Sequence, residues 1–192
     1  RFRLGGSRFQ TPLAGLHNLY NTLAALAAAA ALGIDPASLV EAVAALRPAR
    51  MRGEVFEHAG ARLINDCYNS NPQAAEAMLE LLAATSARRR VAVLGEMLEL
   101  GPASEDLHRQ VGRGGAEIPV DLLVAVRGAA RFLAQEAVRA GLPPCAAHVF
   151  EDPATAGDFL KTILQPDDVV LFKASRGVKL EQALERLLTS ST

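Results

Sequence analysis

A short segment of this chain, residues 65–72, concentrates side chains that could bind a ligand. It reads Asn-Asp-Cys-Tyr-Asn-Ser-Asn-Pro, and so combines a carboxylate, a phenol and three amides. A strand-like run at 61–64 precedes it and a helical pattern follows, which is where ligands bind in open α/β sheets. Asn71 and Pro72 could simply cap and start that helix, but capping needs only one polar residue. We therefore predict a ligand site here.

A second polar cluster, formed by His17, Asn18 and Asn21, opens an Ala-rich helical stretch. Asn18 and Asn21 are three residues apart and therefore share a helix face. Backbone N–H groups and the helix dipole in the first turn favour a nearby anion. Capping of the helix by His17 or Asn18 is the plainer explanation when the cluster is taken alone.

Two arginines, Arg50 and Arg52, lie at the best candidate hinge between two regions of the chain. Arginine stays charged and makes bidentate contacts with phosphate, so a hinge arginine suits a phosphate that is gripped when domains close. A solvated basic turn explains the same two residues equally well.

Residues 95–101, Gly-Glu-Met-Leu-Glu-Leu-Gly, follow another strand-like run. Their two carboxylates could hold a cation or an amine, and their two glycines suggest a shaped loop. His108 lies farther along on the next helical pattern, and we interpret it as structural or solvated. The predicted location of 95–101 is the same sheet edge as that of Asp66.

Residues 173–176, Lys-Ala-Ser-Arg, follow the last strand-like run. Two cations and a hydroxyl at that place would suit an anionic group such as a carboxylate. Ser175 could instead cap the final helix, with solvated charges on either side. We expect Lys173 and Arg176 to occupy a crevice position different from that of Asp66. Because these polar segments coincide at one edge of the predicted sheet, a shared ligand site is favoured over a separate structural explanation for each segment.

Alternating strand and helix patterns from residue 54 onward position these segments. The strand candidates are 54–56, 62–64, 91–94, 122–126, 148–150 and 169–172, and the helical patterns are 71–84, 104–112, 129–140, 152–163 and 178–188. Runs such as Val-Ala-Val-Leu at 91–94 are continuously apolar, as expected when helices cover both sheet faces. The pattern predicts an α/β fold with a doubly wound, mostly parallel, Rossmann-like sheet.

Residues 1–49 have a different character and precede that region as a helical part. The predicted helix at 16–32 is apolar on nearly all faces, so we expect it to be buried against structure outside this chain. Asp35 and Pro36 start a second helix that runs to about residue 46. The chain begins without Met and carries neither a GxGxxG nor a GxxxxGK[ST] motif. We interpret it as a piece of a longer protein, with domains at 1–49 and 50–192.

Composition excludes several classes of protein. The 192 residues are 50% hydrophobic and 21% charged, with a net charge of −1, which is typical of a globular protein with a buried core. Near-neutral charge and 5% aromatic residues argue against a partner that is a nucleic acid or a membrane surface. Cys67 and Cys145 have no metal-ligand spacing, so free thiols in a reducing cytosol are expected, with no metal site.

Taken together, the polar segments resemble the Mur ligase family. Five motifs carry the resemblance. Three are Gly15-x-His17-Asn18-x-x-Asn21, Met51-Arg52-Gly53-Glu54, and Leu94-Gly95-Glu96-Met97-x-Glu99-Leu100-Gly101 with His108 downstream. The other two are the segment 65–72, which is similar to the family motif D-x-Y-N-A-N-P, and Lys173-Ala174-Ser175-Arg176, which is similar to K-G-S-R. Ser70 and Ala174 depart from the usual Ala and Gly, which affects only fine loop geometry. The resemblance covers nearly the whole chain and is most specific at 65–72, where folylpolyglutamate synthetases carry D-G-A-H-N-P instead.

The resemblance implies an ATP-dependent amide ligase of peptidoglycan precursor synthesis, in the bacterial cytoplasm. Such an enzyme adds D-alanyl-D-alanine to UDP-MurNAc-tripeptide through an acyl phosphate, with Mg²⁺ as helper. It also implies that 1–49 is the end of a central ATPase domain and 50–192 is the C-terminal domain of a monomer. The remaining domains would hold most of the ATP and the Mg²⁺, so this chain alone is expected to be inactive.

Residue roles follow from the same resemblance. His17, Asn18 and Asn21 would face the nucleotide base, Asp66 would accept from the ribose hydroxyls, and Arg52 would reach the terminal phosphates and act in catalysis. The peptide and D-alanyl-D-alanine side would be lined by Tyr68, Asn69, Asn71, Lys173, Ser175 and Arg176. Two alternatives stay open, namely a non-catalytic α/β module that binds a small anion or nucleotide, and another amide ligase of the same superfamily. The third residue of the tripeptide is not encoded in these segments.

Overall fold

The computed structural model describes residues 1–189, which divide into two compact units at the boundary between Ala49 and Arg50. No helix in this range is long and apolar enough to cross a membrane. The boundary lies in the segment that the sequence identifies as a hinge. The assignment of the first unit to a central ATPase domain stays a prediction.

The first unit is a small hairpin with helices. Its elements are β1 (Phe2–Leu4), β2 (Ser7–Phe9), α1 (Leu16–Ala31), a 3-10 turn (Pro36–Leu39) and α2 (Val40–Ala44). Phe9, Leu26 and Val43 form its buried core. The predicted helix at 16–32 is confirmed to within one residue, whereas the second helix is shorter than expected and ends at Ala44. Leu16 on α1 is 62% exposed. The expected burial of this helix against structure outside the chain stays a prediction.

The second unit is built on a six-stranded sheet. Its strands are β3 (Glu54–His58), β4 (Ala61–Asp66), β5 (Arg89–Gly95), β6 (Leu122–Val126), β7 (Ala147–Phe150) and β8 (Asp168–Lys173). They lie in the order β3-β4-β8-β5-β6-β7, and only β3 is antiparallel to its neighbour. Each predicted strand is present, and the α/β fold with a doubly wound, mostly parallel sheet is confirmed.

Helices cover both faces of the sheet and exclude water from it. They are α3 (Pro72–Ala84), α4 (Ser104–Glu117), α5 (Ala130–Arg139), α6 (Pro153–Ile163) and α7 (Glu181–Leu188). Residues of α3, α4 and α5 pack in one buried cluster, and residues of α6 and α7 pack in the other. The last helix begins at Glu181 rather than at 178, because Arg176–Val178 forms a 3-10 turn first.

Strand register decides which polar segments meet. Asp66 at the end of β4 is the lateral partner of Lys173 at the end of β8, and Lys173 is in turn paired with Leu94 on β5. Gly95 is paired with Val126 at the end of β6. Because all four strands run in parallel, the segments that follow them emerge side by side along one edge.

Candidate ligand-binding rim

We call this edge the rim and define it as residues 66–71, 95–101, 127–129 and 173–177. Each segment follows one of four parallel strands, in the lateral order β4, β8, β5, β6. The sequence predicts three of the four segments, and the fourth, 127–129, was missed. Three carboxylates, three cations and the exposed side-chain amides of Asn69 and Asn71 therefore share one edge of the sheet.

The centre of the rim is an ion pair between Asp66 and Lys173. The Lys173 Nζ donates to Asp66 Oδ2 at 2.6 Å and to the Asn69 carbonyl oxygen at 3.0 Å. The Lys173 side chain is 2% exposed and that of Asp66 is 18% exposed, so the charge of the lysine is compensated under the surface. The expected separation of Lys173 from Asp66 is wrong, because β4 and β8 are neighbours in the sheet.

Ser175 ties three rim segments together. Its Oγ–H donates to the Ser70 carbonyl oxygen at 3.2 Å, and its Oγ accepts from the Leu98 N–H at 2.9 Å. Its own backbone N–H donates to the Glu96 carbonyl oxygen at 3.2 Å. The side chain makes no cap to the following turn, so the capping explanation is wrong. Ser175 is buried and positions the rim from below.

Arg52 is held against the rim by Tyr68. The Arg52 guanidinium lies 4.0 Å from the centroid of the Tyr68 ring, a cation–π geometry. The backbone supports this contact, since the Tyr68 N–H donates to the Met51 carbonyl oxygen at 3.1 Å and the Met51 N–H donates to Glu54 Oε2 at 2.6 Å. Both Arg52 and Tyr68 are exposed, so each can face a ligand.

Three other candidates on the rim have partners within the chain. Asn71 Oδ1 accepts from the Ala74 N–H at 2.8 Å and caps α3, so the capping explanation holds for this residue. Asn69 is exposed, although its carbonyl oxygen is bound by the Lys173 ammonium. The exposed Arg176 guanidinium pairs with the Glu181 carboxylate, and this hydrogen bond and charge raise the pKa of Arg176.

The segment 95–101 is fixed by contacts that do not involve a ligand. Glu96 Oε1 accepts from the Ala129 N–H at 3.0 Å, which joins this segment to the start of α5. His108 Nε2 accepts from the Met97 N–H at 2.9 Å, and its Nδ1 lies 2.6 Å from the Ser104 carbonyl oxygen. His108 is fully buried, and desolvation lowers its pKa. The interpretation of His108 as structural is confirmed.

The candidates in the first unit lie on the first turns of α1. The Asn18 side-chain N–H donates to the Ala14 carbonyl oxygen at 2.7 Å, and neither Asn18 nor His17 makes a side-chain N-cap. His17 Nδ1 is buried without a partner in residues 1–189, and the Asn21 side chain is exposed. An unpaired buried ring nitrogen and an exposed amide leave polar atoms for a ligand.

Sequence reasoning missed three charged residues of the rim and its supports. Glu54 accepts from the Met51 N–H, Glu181 neutralises Arg176, and Arg127 follows β6. Glu54 and Glu181 lie only three and five residues from Met51 and Arg176, but sequence spacing alone does not show how the intervening turns fold. The signal that was available for Arg127 is its place directly after an apolar strand, which is the same signal that identifies Asp66. Within residues 1–189, no three His, Cys, Asp or Glu side chains cluster as metal ligands.

A family model described as "Mur ligase, glutamate ligase domain" matches residues 51–176 of this chain. A curated relative, the UDP-N-acetylmuramoyl-tripeptide–D-alanyl-D-alanine ligase of Bacillus subtilis (strain 168), is 32% identical over 187 residues. That match covers 95% of this chain and 40% of the relative. The chain thus spans about 40% of the length of this relative.

Solved structures give the same result for the fold. A crystal structure of MurF from Acinetobacter baumannii superimposes with a TM-score of 0.83 at 32% identity, covering 95% of this chain and 39% of that one. MurF ligase from Thermotoga maritima, crystallised in complex with ADP, superimposes with a TM-score of 0.75 at 28% identity, covering 90% of this chain and 38% of that one. The arrangement of strands and helices described above is therefore similar to that found in about two fifths of these ligases.

Proposed function

This chain belongs to the Mur ligase family, and from that premise we propose that it is the C-terminal portion of a ligase that adds D-alanyl-D-alanine to UDP-MurNAc-tripeptide. The relatives that carry this activity in their names match nearly all of the chain but only about 40% of their own length. The activity would therefore belong to a whole protein of which these residues form one part. Its setting would be peptidoglycan precursor synthesis in the bacterial cytoplasm.

The observation that carries the proposal is the presentation of residues 65–72 at the rim. A buried lysine holds Asp66 in place, and a stacked pair, Arg52 and Tyr68, stands exposed beside it. This segment is also the one whose sequence best separates the proposed ligase branch from its sisters. A carboxylate and a guanidinium on one edge suit a substrate that carries both hydroxyl groups and phosphates.

The proposed reaction has two steps. A carboxylate oxygen of the tripeptide attacks the γ-phosphorus of ATP, which forms an acyl phosphate and releases ADP. The amine nitrogen of D-alanyl-D-alanine then attacks the acyl carbon, loses a proton and displaces inorganic phosphate. Chemistry of this kind depends mainly on positioning and on stabilising the charge of the transferring phosphoryl group.

On the ATP side, we assign two roles to the second unit. Arg52 would contact the terminal phosphates and stabilise the charge that develops during transfer. Asp66 would accept hydrogen bonds from the ribose hydroxyls, with Lys173 holding the carboxylate in one orientation. In the first unit, His17, Asn18 and Asn21 would contact the base.

On the peptide side, the exposed residues of the rim are the proposed contacts. Tyr68, Asn69 and Arg176 are exposed and would bind the peptide and D-alanyl-D-alanine directly. Lys173, Ser175 and Asn71 already bind within the chain, so we propose that they position these neighbours. No cluster of possible metal ligands occurs within residues 1–189, so we propose that Mg²⁺ is held mainly by other domains of the protein, where it would neutralise phosphate charge.

The test is a panel of acceptors with the full-length ligase that contains these residues. ATP is kept constant, and each acceptor is supplied with its matching donor while ADP release is measured. The pairs are D-alanyl-D-alanine with UDP-MurNAc-tripeptide, L-alanine with UDP-MurNAc, D-glutamate with UDP-MurNAc-L-alanine, and meso-diaminopimelate with UDP-MurNAc-L-alanyl-D-glutamate. We expect turnover with the dipeptide alone. Turnover with a single amino acid would assign the chain to a different amide ligase, and ATP binding without turnover on any acceptor would favour a non-catalytic module.

A further inference from the structure

We propose that Arg127, the residue directly after β6, binds the free carboxylate of the incoming dipeptide. This inference rests on the proposed function, because it assumes that D-alanyl-D-alanine is the acceptor. It adds the segment 127–129 of the rim to the proposed substrate site. Three observations support it, namely the position of Arg127, its charge balance and its backbone conformation.

Arg127 lies on the rim beside the segment that follows β8. Its Nη1 donates to the Gly177 carbonyl oxygen at 3.2 Å, which fixes the direction of the exposed side chain. Gly177 directly follows Arg176 in the chain, so Arg127 contacts the same segment that carries Arg176. Asp66 lies farther along the rim, since β5 and β8 separate β6 from β4.

The guanidinium of Arg127 has no ion-pair partner within residues 1–189, whereas Arg176 pairs with Glu181. Two carboxylates lie at the next two residues, where Glu96 accepts from the Ala129 N–H and Glu151 accepts from the Gly128 N–H at 3.3 Å. Four of the five N–H donors of the Arg127 guanidinium therefore remain for a ligand.

The backbone of Arg127 adopts a conformation that non-glycine residues rarely use. Its φ is 71°, in the left-handed region, and the Arg127 N–H donates to the Phe150 carbonyl oxygen at 2.7 Å. Residues held in such conformations concentrate at ligand sites, where the surrounding structure imposes the strain. Within residues 1–189, five other non-glycine residues also have a positive φ, among them Glu99 on the same rim.

A carboxylate is the anion that fits this place. A guanidinium binds a carboxylate through two parallel N–H···O bonds, and the dipeptide presents one free carboxylate at its far end. ATP phosphates are the competing anions, and we assign those to Arg52, which contacts Tyr68 on the segment after β4. The two assignments predict different kinetic effects and can be separated by experiment.

The experiment compares two acceptors in the full-length ligase, D-alanyl-D-alanine and its C-terminal amide, which lacks the carboxylate. For Arg127→Asn, we expect kcat/KM for the dipeptide to fall about tenfold or more, mainly through KM. We expect the amide, a poor substrate for the wild type, to lose less than about twofold, with the KM for ATP unchanged. Asparagine tolerates the left-handed backbone, so the fold is preserved.

Three variants complete the design. Arg88→Asn removes an exposed arginine at the opposite edge of the sheet and should leave all constants unchanged. Arg127→Lys should retain part of the preference for the dipeptide over its amide. If Arg127→Asn does not fold, Arg127→Gly removes the same side chain with a residue that this backbone favours.

Specific outcomes would overturn the inference. Equal losses for the dipeptide and the amide would mean that Arg127 only holds Gly177 in place. A raised KM for ATP would mean that Arg127 contacts a phosphate instead. No loss for either acceptor would exclude any contact with the substrate. Absence of turnover by the wild type would reject the proposed function itself, and the inference with it.

Discussion

Residues of the rim, together with Arg52 beside Tyr68, fall into those that are exposed to solvent and those that hold them in place. Arg52, Tyr68 and Arg176 are exposed, whereas Lys173 and Ser175 are 2% and 4% exposed. The buried members already have hydrogen-bond partners in neighbouring segments. Their replacement should therefore affect stability first, and that of the exposed members should affect activity first.

The buried ion pair predicts a strong and coupled stability effect. Asp66→Ala should lower the free energy of unfolding by about 3 to 5 kcal/mol, because it leaves the Lys173 ammonium without a counterion. Adding Lys173→Met should recover a large part of that loss, since methionine occupies the space of the lysine's apolar stem and carries no charge. Urea unfolding of this chain measures both quantities. Additive losses in the double variant would show that the pair is not coupled.

An exposed ion pair provides the control for this prediction. Glu57 Oε1 and Arg62 Nε lie 3.2 Å apart, and the two side chains are 66% and 47% exposed. Glu57→Ala should change the free energy of unfolding by less than about 1 kcal/mol, because solvent screens the pair. A loss as large as that of Asp66→Ala would mean that the urea assay does not report burial.

Arg52 predicts a kinetic effect in the full-length ligase. Arg52→Ala should lower kcat by about 10³-fold with a smaller effect on substrate binding, since a phosphate contact acts mainly in the transition state. Arg50→Ala is the matched control, because Arg50 is also an exposed arginine of the same segment. Near wild-type kcat for Arg52→Ala, or an equal loss for Arg50→Ala, would contradict the assignment.

At the scale of elements, one buried histidine couples the segment 95–101 to α4. The Met97 N–H donates to His108 Nε2, so protonation of Nε2 would break that hydrogen bond. Desolvation lowers the pKa of His108 from its ordinary value of 6.5. The unfolded chain therefore binds a proton at a higher pH than the folded one, and stability is lost as pH falls from about 6.5 toward the folded pKa.

A pair of histidine variants tests this coupling. The melting temperature of the wild type should fall between about pH 7.5 and pH 5.5, and His108→Gln should reduce the size of that fall. His58→Gln is the control, since His58 lies on the edge strand β3 and is only partly buried. An unchanged pH dependence in His108→Gln would show that other groups control it.

The contact between α4 and α5 predicts opposite effects for two glycines on one helix. A Cβ on Gly112 would lie 2.2 Å from the Leu133 carbonyl oxygen, whereas a Cβ on Gly114 would meet nothing within 4 Å. Gly112→Ala should lower the free energy of unfolding by about 1 to 3 kcal/mol or more. Gly114→Ala should raise it by about 0.5 to 1 kcal/mol through helix propensity. Thermal unfolding compares them, and effects of the same sign would contradict the packing.

The elements were predictable from sequence because their signals are local. Apolar runs such as Leu122–Val126 give a strand with the same bounds in sequence and structure, and Asn71 marks the start of α3 as a cap. Sheet order was not predictable, because it depends on contacts between distant segments. The pairing of Asp66 with Lys173, 107 residues apart, follows from that order and was therefore missed. The partners of Ser175 were missed for the same reason, whereas the partner of Arg176 is Glu181, only five residues away.

At the scale of the whole molecule, the rim presents binding groups without the loop that holds ATP phosphates. The 192 residues contain no GxxxxGK[ST] motif, and they span about 40% of the relatives' length. Under the proposed function, this domain supplies one side of an active site and other domains of the same protein supply the rest. Catalysis by phosphoryl transfer needs both sides in place.

The most direct test is phosphate release measured in parallel on this chain and on the full-length ligase. Both receive ATP, Mg²⁺, UDP-MurNAc-tripeptide and D-alanyl-D-alanine at equal protein concentration. We predict turnover by the full-length protein, and folded but inactive material, judged by its cooperative thermal unfolding, for the isolated chain. Robust, dipeptide-dependent phosphate release by the 192-residue chain alone would contradict the claim that the active site is shared.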